Sequence, residues 1–436
     1  MKSKACDIAC LIVAVALWGC GDAGSPENAA AESGDEISLV GSWRAVLSSP
    51  GGELPFTLSI QGESEAGELT AVAHNGAEEA PFSRVERSAS RVTLHMDWYD
   101  AEITADLAAD GESMQGTWRK TIPDGNSSLP FRAVRGDERR FLPAAEAAAG
   151  GTESSSAASD ITGDWAAELT DDDGTEVARA EFSQQGDVVT GTFLTPTGDY
   201  RFLEGSFENG LLRLSTFDGA HAFLFQASLE QDGSLTGDFW SRDTYHATWT
   251  ARRAEEGEQI LPDAWQEVQL TNEDGKFAFE FPDLEGNPLS LADSRFAGKV
   301  VLVNIFGSWC PNCNDEAPLL AQWYREYQDQ GLEIVGLAYE FSGDPERDRV
   351  VVGKFAERHG IEYPLLLAGI SDKAAAGATL PDLTAVLSYP TTVFIGRDGK
   401  VRRIHSGFSG PGTGDHYDKL VAKLESTIEE LLAESV

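Results

Sequence analysis

Cys310, Pro311, Asn312 and Cys313 place two thiols three positions apart. At this spacing, sulfurs on the first turn of a helix come within bonding reach of each other. The apolar run Val300 to Phe306 precedes them and a helical pattern from Asp315 to Gln330 follows. The pair is therefore expected at a strand-to-helix junction, with Cys310 at the helix N-terminus. Unpaired N–H groups and the helix dipole favour an anion there, and a thiolate is the nucleophile of thiol–disulfide exchange. Cys313, one turn on, can attack the mixed disulfide that Cys310 forms. Zinc sites use the same spacing but need two more ligands, and no second C-x-x-C or H-x-x-x-H occurs. No metal or cofactor is assigned.

The elements that must position this pair alternate in type. Phe277 to Phe281 and Leu289 to Leu291 read as short strands around the turn Glu285-Gly286-Asn287-Pro288. Val300 to Phe306 is continuously apolar, as a strand buried on both faces should be. Strands are expected at Glu333 to Tyr339, Tyr363 to Leu367, Thr392 to Ile395 and Lys400 to Ile404, with helices over 346–359 and 415–433. This is an α/β plan with a mixed sheet.

The run GKVVLVNIFGSWCPNCNDEAP (298–318) resembles the TlpA/ResA-like membrane-associated thioredoxins almost position by position, and the likeness extends over roughly 275–433. The resemblance implies a thioredoxin fold, protein disulfide substrates, and electrons from a membrane-embedded thiol donor. Tyr389-Pro390-Thr391 matches the cis-proline loop facing the dithiol, which with Trp309 and Pro311 is the expected substrate-binding surface. Pro318 matches the proline that kinks the first helix, and Glu316 the acid near the dithiol. Cytosolic thioredoxin has a buried Asp six residues before its first Cys, where this chain has Asn304. An amide cannot take the proton of Cys313, so Glu316 is the candidate base. The competing reading of Glu316 is a first-turn acid stabilised by the dipole. A peroxiredoxin-type peroxidase shares the fold but needs Thr three residues before its Cys, where Gly307 stands. His359, His405 and His416 have no partner at ligand spacing and read as surface or hairpin residues.

At the N-terminus, Lys2 and Lys4 precede the uncharged apolar run Ile8 to Trp18, which suits a signal-peptide core. Leu17-Trp18-Gly19-Cys20 resembles the bacterial lipobox, with Trp18 departing from the usual small residue. The resemblance implies cleavage before Cys20, its diacylation, and a lipid anchor to a membrane outside the cytoplasm; Gly21 in place of Asp points to the outer membrane. Of five cysteines, Cys6 and Cys10 then leave with the signal, Cys20 is lipidated, and Cys310 and Cys313 remain. One pair is chemistry, whereas a disulfide scaffold needs several.

Small, polar, acidic stretches divide the chain. The expected organisation is a signal peptide at 1–19, the lipidated Cys and linker at 20–36, β-domain repeats at 37–142 and 161–253 flanking a linker at 143–160, a linker at 254–274 and a thioredoxin-like domain at 275–436. The repeats share marks: Gly41-Ser42-Trp43 recurs as Gly163-Asp164-Trp165, and Gly116-Thr117-Trp118 as Gly237-Asp238-Phe239-Trp240. Alternating runs between frequent turn signals predict antiparallel barrels or sandwiches, each large enough for its own core. The G-x-W start resembles that of lipocalin-type barrels. Trp43, Trp98, Trp118, Trp165, Trp240 and Trp249 either form a ligand site or plug the barrels, and small barrels are normally plugged. A formal charge of -39, from 72 acidic and 33 basic residues, excludes a nucleic-acid partner. The sequence thus leaves an extracytoplasmic thiol–disulfide oxidoreductase against a non-enzymatic binding lipoprotein with a redox-sensitive adaptor domain.

Overall fold

A computed structural model describes residues 37–62, 68–122, 125–136, 139–142 and 160–434. The expected signal peptide, Cys20 and its linker, and 143–159 lie outside the described residues.

Both repeats are antiparallel meanders whose first and last strands pair. Each G-x-W mark has the same physical cause. The Trp43 indole is buried, donates to the Leu39 carbonyl at 3.1 Å and lies under the Arg135 guanidinium at 4.2 Å. Trp165 donates to Ile161 at 3.0 Å and lies under Arg253 at 4.2 Å. An indole so placed buries a large apolar area while its N–H stays satisfied and its face meets a cation.

The repeats differ in two ways from the expected pair of independent domains. The second, Gly163 to Arg253, closes as an eight-stranded barrel. The first, Gly41 to Arg135, has nine strands, and Glu78–Pro81 does not pair with Arg84–Ser88, so the sheet stays open. Its core is also not its own: Phe217, Ala220, Ala222 and Leu224 of the second repeat complete it. Phe217 stacks on Phe56 at 4.5 Å and meets Trp118 edge-on at 5.8 Å. Its backbone is held on both sides by the Asn75 amide, at 2.9 and 3.0 Å.

The C-terminal domain is a five-stranded mixed sheet. Val300–Phe306 (β1), Leu332–Glu340 (β2) and Leu365–Ile370 (β3) are parallel; Thr391–Ile395 (β4) and Val401–Ser406 (β5) continue antiparallel, in the order β3-β2-β1-β4-β5. Every residue of β1 and β2 is buried. Helices Pro311–Tyr327 (α1), Pro345–His359 (α2), Lys373–Thr379 (α3) and Asp415–Leu432 (α4) flank it. This is a thioredoxin-like domain, and α3, capped by the Asp372 side chain, is the one helix the sequence pattern passed over. The expected 254–274 linker is not free of this domain. Val268 enters its core, Trp265 packs on His405 at 4.6 Å, and Ser406 donates to the Ala264 carbonyl at 3.0 Å.

One buried side chain joins all three parts. Arg201, from the second repeat, pairs with Glu78 of the first, with Asp218 of its own repeat at 3.3 Å, and with Asp315 on α1. Burial works against its charge, but Asp315, Glu78 and Asp218 outweigh it and hold the guanidinium above its ordinary range. Burial also raises Asp218, but His221 and Arg201 outweigh it and hold that carboxyl low. Burial raises Glu78 and Asp315, so these two take up protons before Asp218 does. Removing the cation that Glu78, Asp218 and Asp315 share should cost about 3–5 kcal/mol, even with His221 left beside Asp218. Arg201→Met is therefore expected to lower the urea midpoint and to separate unfolding of the C-terminal domain from that of the β-repeats. A single transition at the wild-type midpoint would show that this charge cluster does not join them.

Candidate functional site

The continuously buried β1 delivers the chain to Gly307, and the turn after it places Cys310 as the N-cap of α1, with Pro311 in its first turn. Proline suits that position because its missing N–H has no helical partner there. The Cys310 sulfur accepts the Cys313 backbone N–H at 3.3 Å, and its thiol can donate to the Tyr389 carbonyl at 3.4 Å. Tyr389-Pro390 is a cis peptide; the Tyr389 carbonyl is the part of this loop that meets the dithiol, while Thr391 is fully buried with its hydroxyl donating to the Ser388 carbonyl at 2.9 Å. Trp309 is fixed by its N–H on the Tyr339 carbonyl at 2.9 Å, stacks on Phe341 at 4.6 Å and meets Tyr389 edge-on at 5.6 Å. Gly307 leaves room for it: a Cβ there would meet the indole nitrogen at 2.2 Å.

Cys313 is deeper, at 2 % exposure against 5 % for Cys310. Burial first, then the Cys310 sulfur and Glu316, push its thiol well above the ordinary range. It therefore needs a base in order to act. Glu316, one turn further on, is buried and its carboxyl is raised to about 7 by burial, against hydrogen bonds from Asn304 and Thr392. Those bonds are 2.7 Å from the Asn304 amide and 3.2 Å from the Thr392 hydroxyl. Asn304 and Glu316 are thus one unit, in which the amide on β1 orients the carboxylate on α1.

Two neighbours were not legible in the sequence. Lys373 on α3 interacts electrostatically with both Glu176 and Cys310. More consequentially, the second barrel stands over the dithiol. A cavity of about 290 Å³ is lined by Cys310, Pro311, Asn312 and Tyr389 on one side, and by barrel residues including Tyr200, Phe223 and Tyr245 on the other. The barrel loop touches the motif itself, since a Cβ on Gly198 would fall 1.9 Å from the Asn312 amide nitrogen. Nothing near the motif marks these contacts, which join residues more than sixty positions apart.

Trp43 and Trp118 of the open sheet and Trp165 and Trp249 of the barrel are fully buried, as core-filling side chains are. His405 lies on the expected hairpin strand and His416 is partly exposed, but the rings of His405 and His359 are more enclosed than the sequence suggests. His405 is buried against Trp265, and burial lowers it to about 4; His359 packs on Phe355 at 4.7 Å and is likewise lowered to about 4 by burial. His416 reaches Glu181 of the barrel at 2.7 Å.

Residues 275–404 match the family model described as the AhpC/TSA family. The thiol-disulfide oxidoreductase ResA of Geobacillus thermodenitrificans (strain NG80-2) is 36% identical over 129 residues, covering 30% of this chain and 66% of that protein. ResA of Halalkalibacterium halodurans is 32% identical over 129 residues, covering 30% of this chain and 65% of that protein. The chain thus spans just under two thirds of the length of these relatives. Among solved structures, a thioredoxin-family thiol:disulfide interchange protein from Chlorobium tepidum TLS is 23% identical, with a TM-score of 0.28, covering 36% of this chain and 96% of that one. The family match is confined to the C-terminal region, which has the thioredoxin-like fold, and the two β-repeats fall outside the matched span.

The raised Glu316 carboxyl carries a stability consequence. A group that binds its proton more tightly when folded stabilises fully below its unfolded value of 4.5, and that contribution is lost as pH rises through about 7. Glu316→Gln, whose amide can keep both partners, should therefore gain on the order of 2–3 kcal/mol over wild type at about pH 8, and nothing at about pH 4.5. Chemical denaturation at the two pH values checks this, and a pH-independent difference would refute it.

Proposed function

We propose that this thioredoxin-family domain makes the protein an extracytoplasmic thiol–disulfide oxidoreductase that reduces disulfides of protein clients. The observation that carries the reading is the Cys310 sulfur at the helix cap, accepting a backbone N–H, beside a deeper thiol with its own buried carboxylate. The ResA relatives support it.

Cys310 as thiolate attacks one sulfur of the client disulfide. A Cys310–client bond forms, the client S–S bond breaks, and the second client sulfur leaves as a thiolate that takes a proton. Glu316 then accepts the Cys313 proton, and Cys313 attacks the Cys310 sulfur. The 310–313 disulfide forms, and the remaining client sulfur leaves as a thiol. Two electrons have passed to the client, and a thiol donor at the membrane returns them. Tyr389 and Pro311 beside the Cys310 sulfur, with Trp309 against Tyr389, form the docking surface, and the buried Pro390 and Thr391 hold that loop in place from behind. In this reading Cys20 is diacylated and holds the chain at a membrane outside the cytoplasm, facing outward from the inner membrane or attached to the outer one.

A peroxidase would need Thr in place of Gly307, and any side chain there collides with the Trp309 indole. The non-enzymatic adaptor reading predicts an intact fold without turnover.

With the full chain in an insulin-type reduction assay, Cys310→Ser should abolish turnover, and Cys313→Ser should accumulate a mixed disulfide. Glu316→Gln should slow the resolving step by about 10²-fold and flatten the rise in rate through pH 7, since only the deprotonated carboxylate accepts the proton. Wild-type turnover that survives Cys310→Ser would discard the mechanism.

A further inference from the structure

The second barrel is more than a spacer. Its body is filled by Phe193, Phe225, Phe239 and Trp249, with Phe193 on Phe225 at 4.5 Å and Phe225 on Phe239 at 4.2 Å. At the end facing the dithiol, Tyr200 lies across these rings, 5.3 Å from Phe225 and 5.1 Å from Phe239. There Tyr200, Phe223 and Tyr245 surround the cavity of about 290 Å³ whose opposite wall is Cys310 and Tyr389. Tyr245 is 38% exposed, and its hydroxyl is tied to Asp171 at 2.6 Å, so its ring is held at the rim.

We propose that this barrel mouth selects the client: it takes an extended, cysteine-bearing peptide segment that is uncharged or basic and has an apolar or aromatic residue beside the reacting cysteine. The inference rests on the exchange chemistry proposed above and adds its substrate class. Three observations carry it. Cys310 is only 5% exposed, and the Gly198 loop lies against Asn312, so the surface of a folded client cannot reach the sulfur while a thin segment can. The volume is at the low end of ligand clefts, which run from about 300 to 1,000 Å³, and suits a cysteine and one bulky neighbour. Aromatic rings supply the apolar part of the wall among threonine and serine hydroxyls, whereas Glu176 and Asp199 line the same cavity, with Lys373 interacting with Glu176, on a chain of formal charge -39. An acidic segment meets like charge there, and an apolar side chain meets ring faces.

The test uses prereduced full-length protein in single turnover against peptide dimers joined by one disulfide, with Phe, Ser or Glu beside the cysteine. 2-Hydroxyethyl disulfide and glutathione disulfide serve as small probes. The Phe peptide should react at least about tenfold faster than the Glu peptide, in line with burial of one apolar side chain. Tyr245→Ala, shown folded by its melting temperature, should bring the Phe peptide down to the Ser peptide. Glu176→Gln should raise the Glu peptide about threefold. Equal rates for the three peptides, a Phe-peptide rate indifferent to Tyr245→Ala, or glutathione disulfide outrunning the Phe peptide would each overturn the inference. If even 2-hydroxyethyl disulfide leaves wild-type Cys310 and Cys313 reduced, it is the exchange chemistry itself that fails, ahead of the question of selection.

Discussion

The guanidinium of Arg201 is shared by carboxylates from three parts of the chain, and one of them, Asp315, lies two residues beyond Cys313 on α1. A buried cation with one partner is a weak source of stability, because desolvation cancels most of the attraction. With three partners it becomes a positional constraint, since moving any one of them leaves a charge buried and unanswered. The placement of the barrel over the dithiol follows from that constraint. So does the merging of the two β-repeats, where Phe217 crosses into the first core on the strand that leads to Asp218. His416 on Glu181 and Gly410 on Asp199 hold the same interface at its edge.

Local chemistry was legible in the sequence, and long-range pairing was not. The apolar run of β1, the cysteine spacing and the helix after it are signals that short-range physics writes into adjacent residues. The G-x-W marks were also readable, and their cause, an indole bonded to a carbonyl four residues back, is equally local. Arg201 carries no such signal, because its partners are far away in sequence and each looks like an ordinary surface acid. The open first sheet was hidden for a related reason. Whether a meander closes depends on the Glu78–Pro81 strand, and on a neighbour that supplies the missing core. His405 lies on the expected hairpin strand, but its burial was hidden because a strand that carries Arg402 and Arg403 reads as exposed until Trp265 folds back upon it.

Within the dithiol site, replacing an acid by an amide at 304 relocates the proton chemistry without abolishing it. Asn304 donates to Glu316 from the strand beneath, so the carboxylate approaches Cys313 along the helix that bears it. Base and thiol then share one rigid element, and their separation is set by helical geometry more than by packing between strand and helix. The buried Glu316 destabilises the fold above neutral pH, a cost accepted at the position where a proton must be taken up.

Three glycines on the facing surfaces are small for a reason outside their own backbones. Gly198, Gly410 and Gly412 have no left-handed conformation to require them, yet a Cβ on each would press on Asn312, on Asp315 and Asp199, or on the Arg201 backbone. Bare positions of this kind are the imprint of a neighbour. A free-standing thioredoxin domain would have no use for Gly410 and Gly412, so their presence in another chain's C-terminal loop would indicate that its dithiol, too, sits beneath a cap.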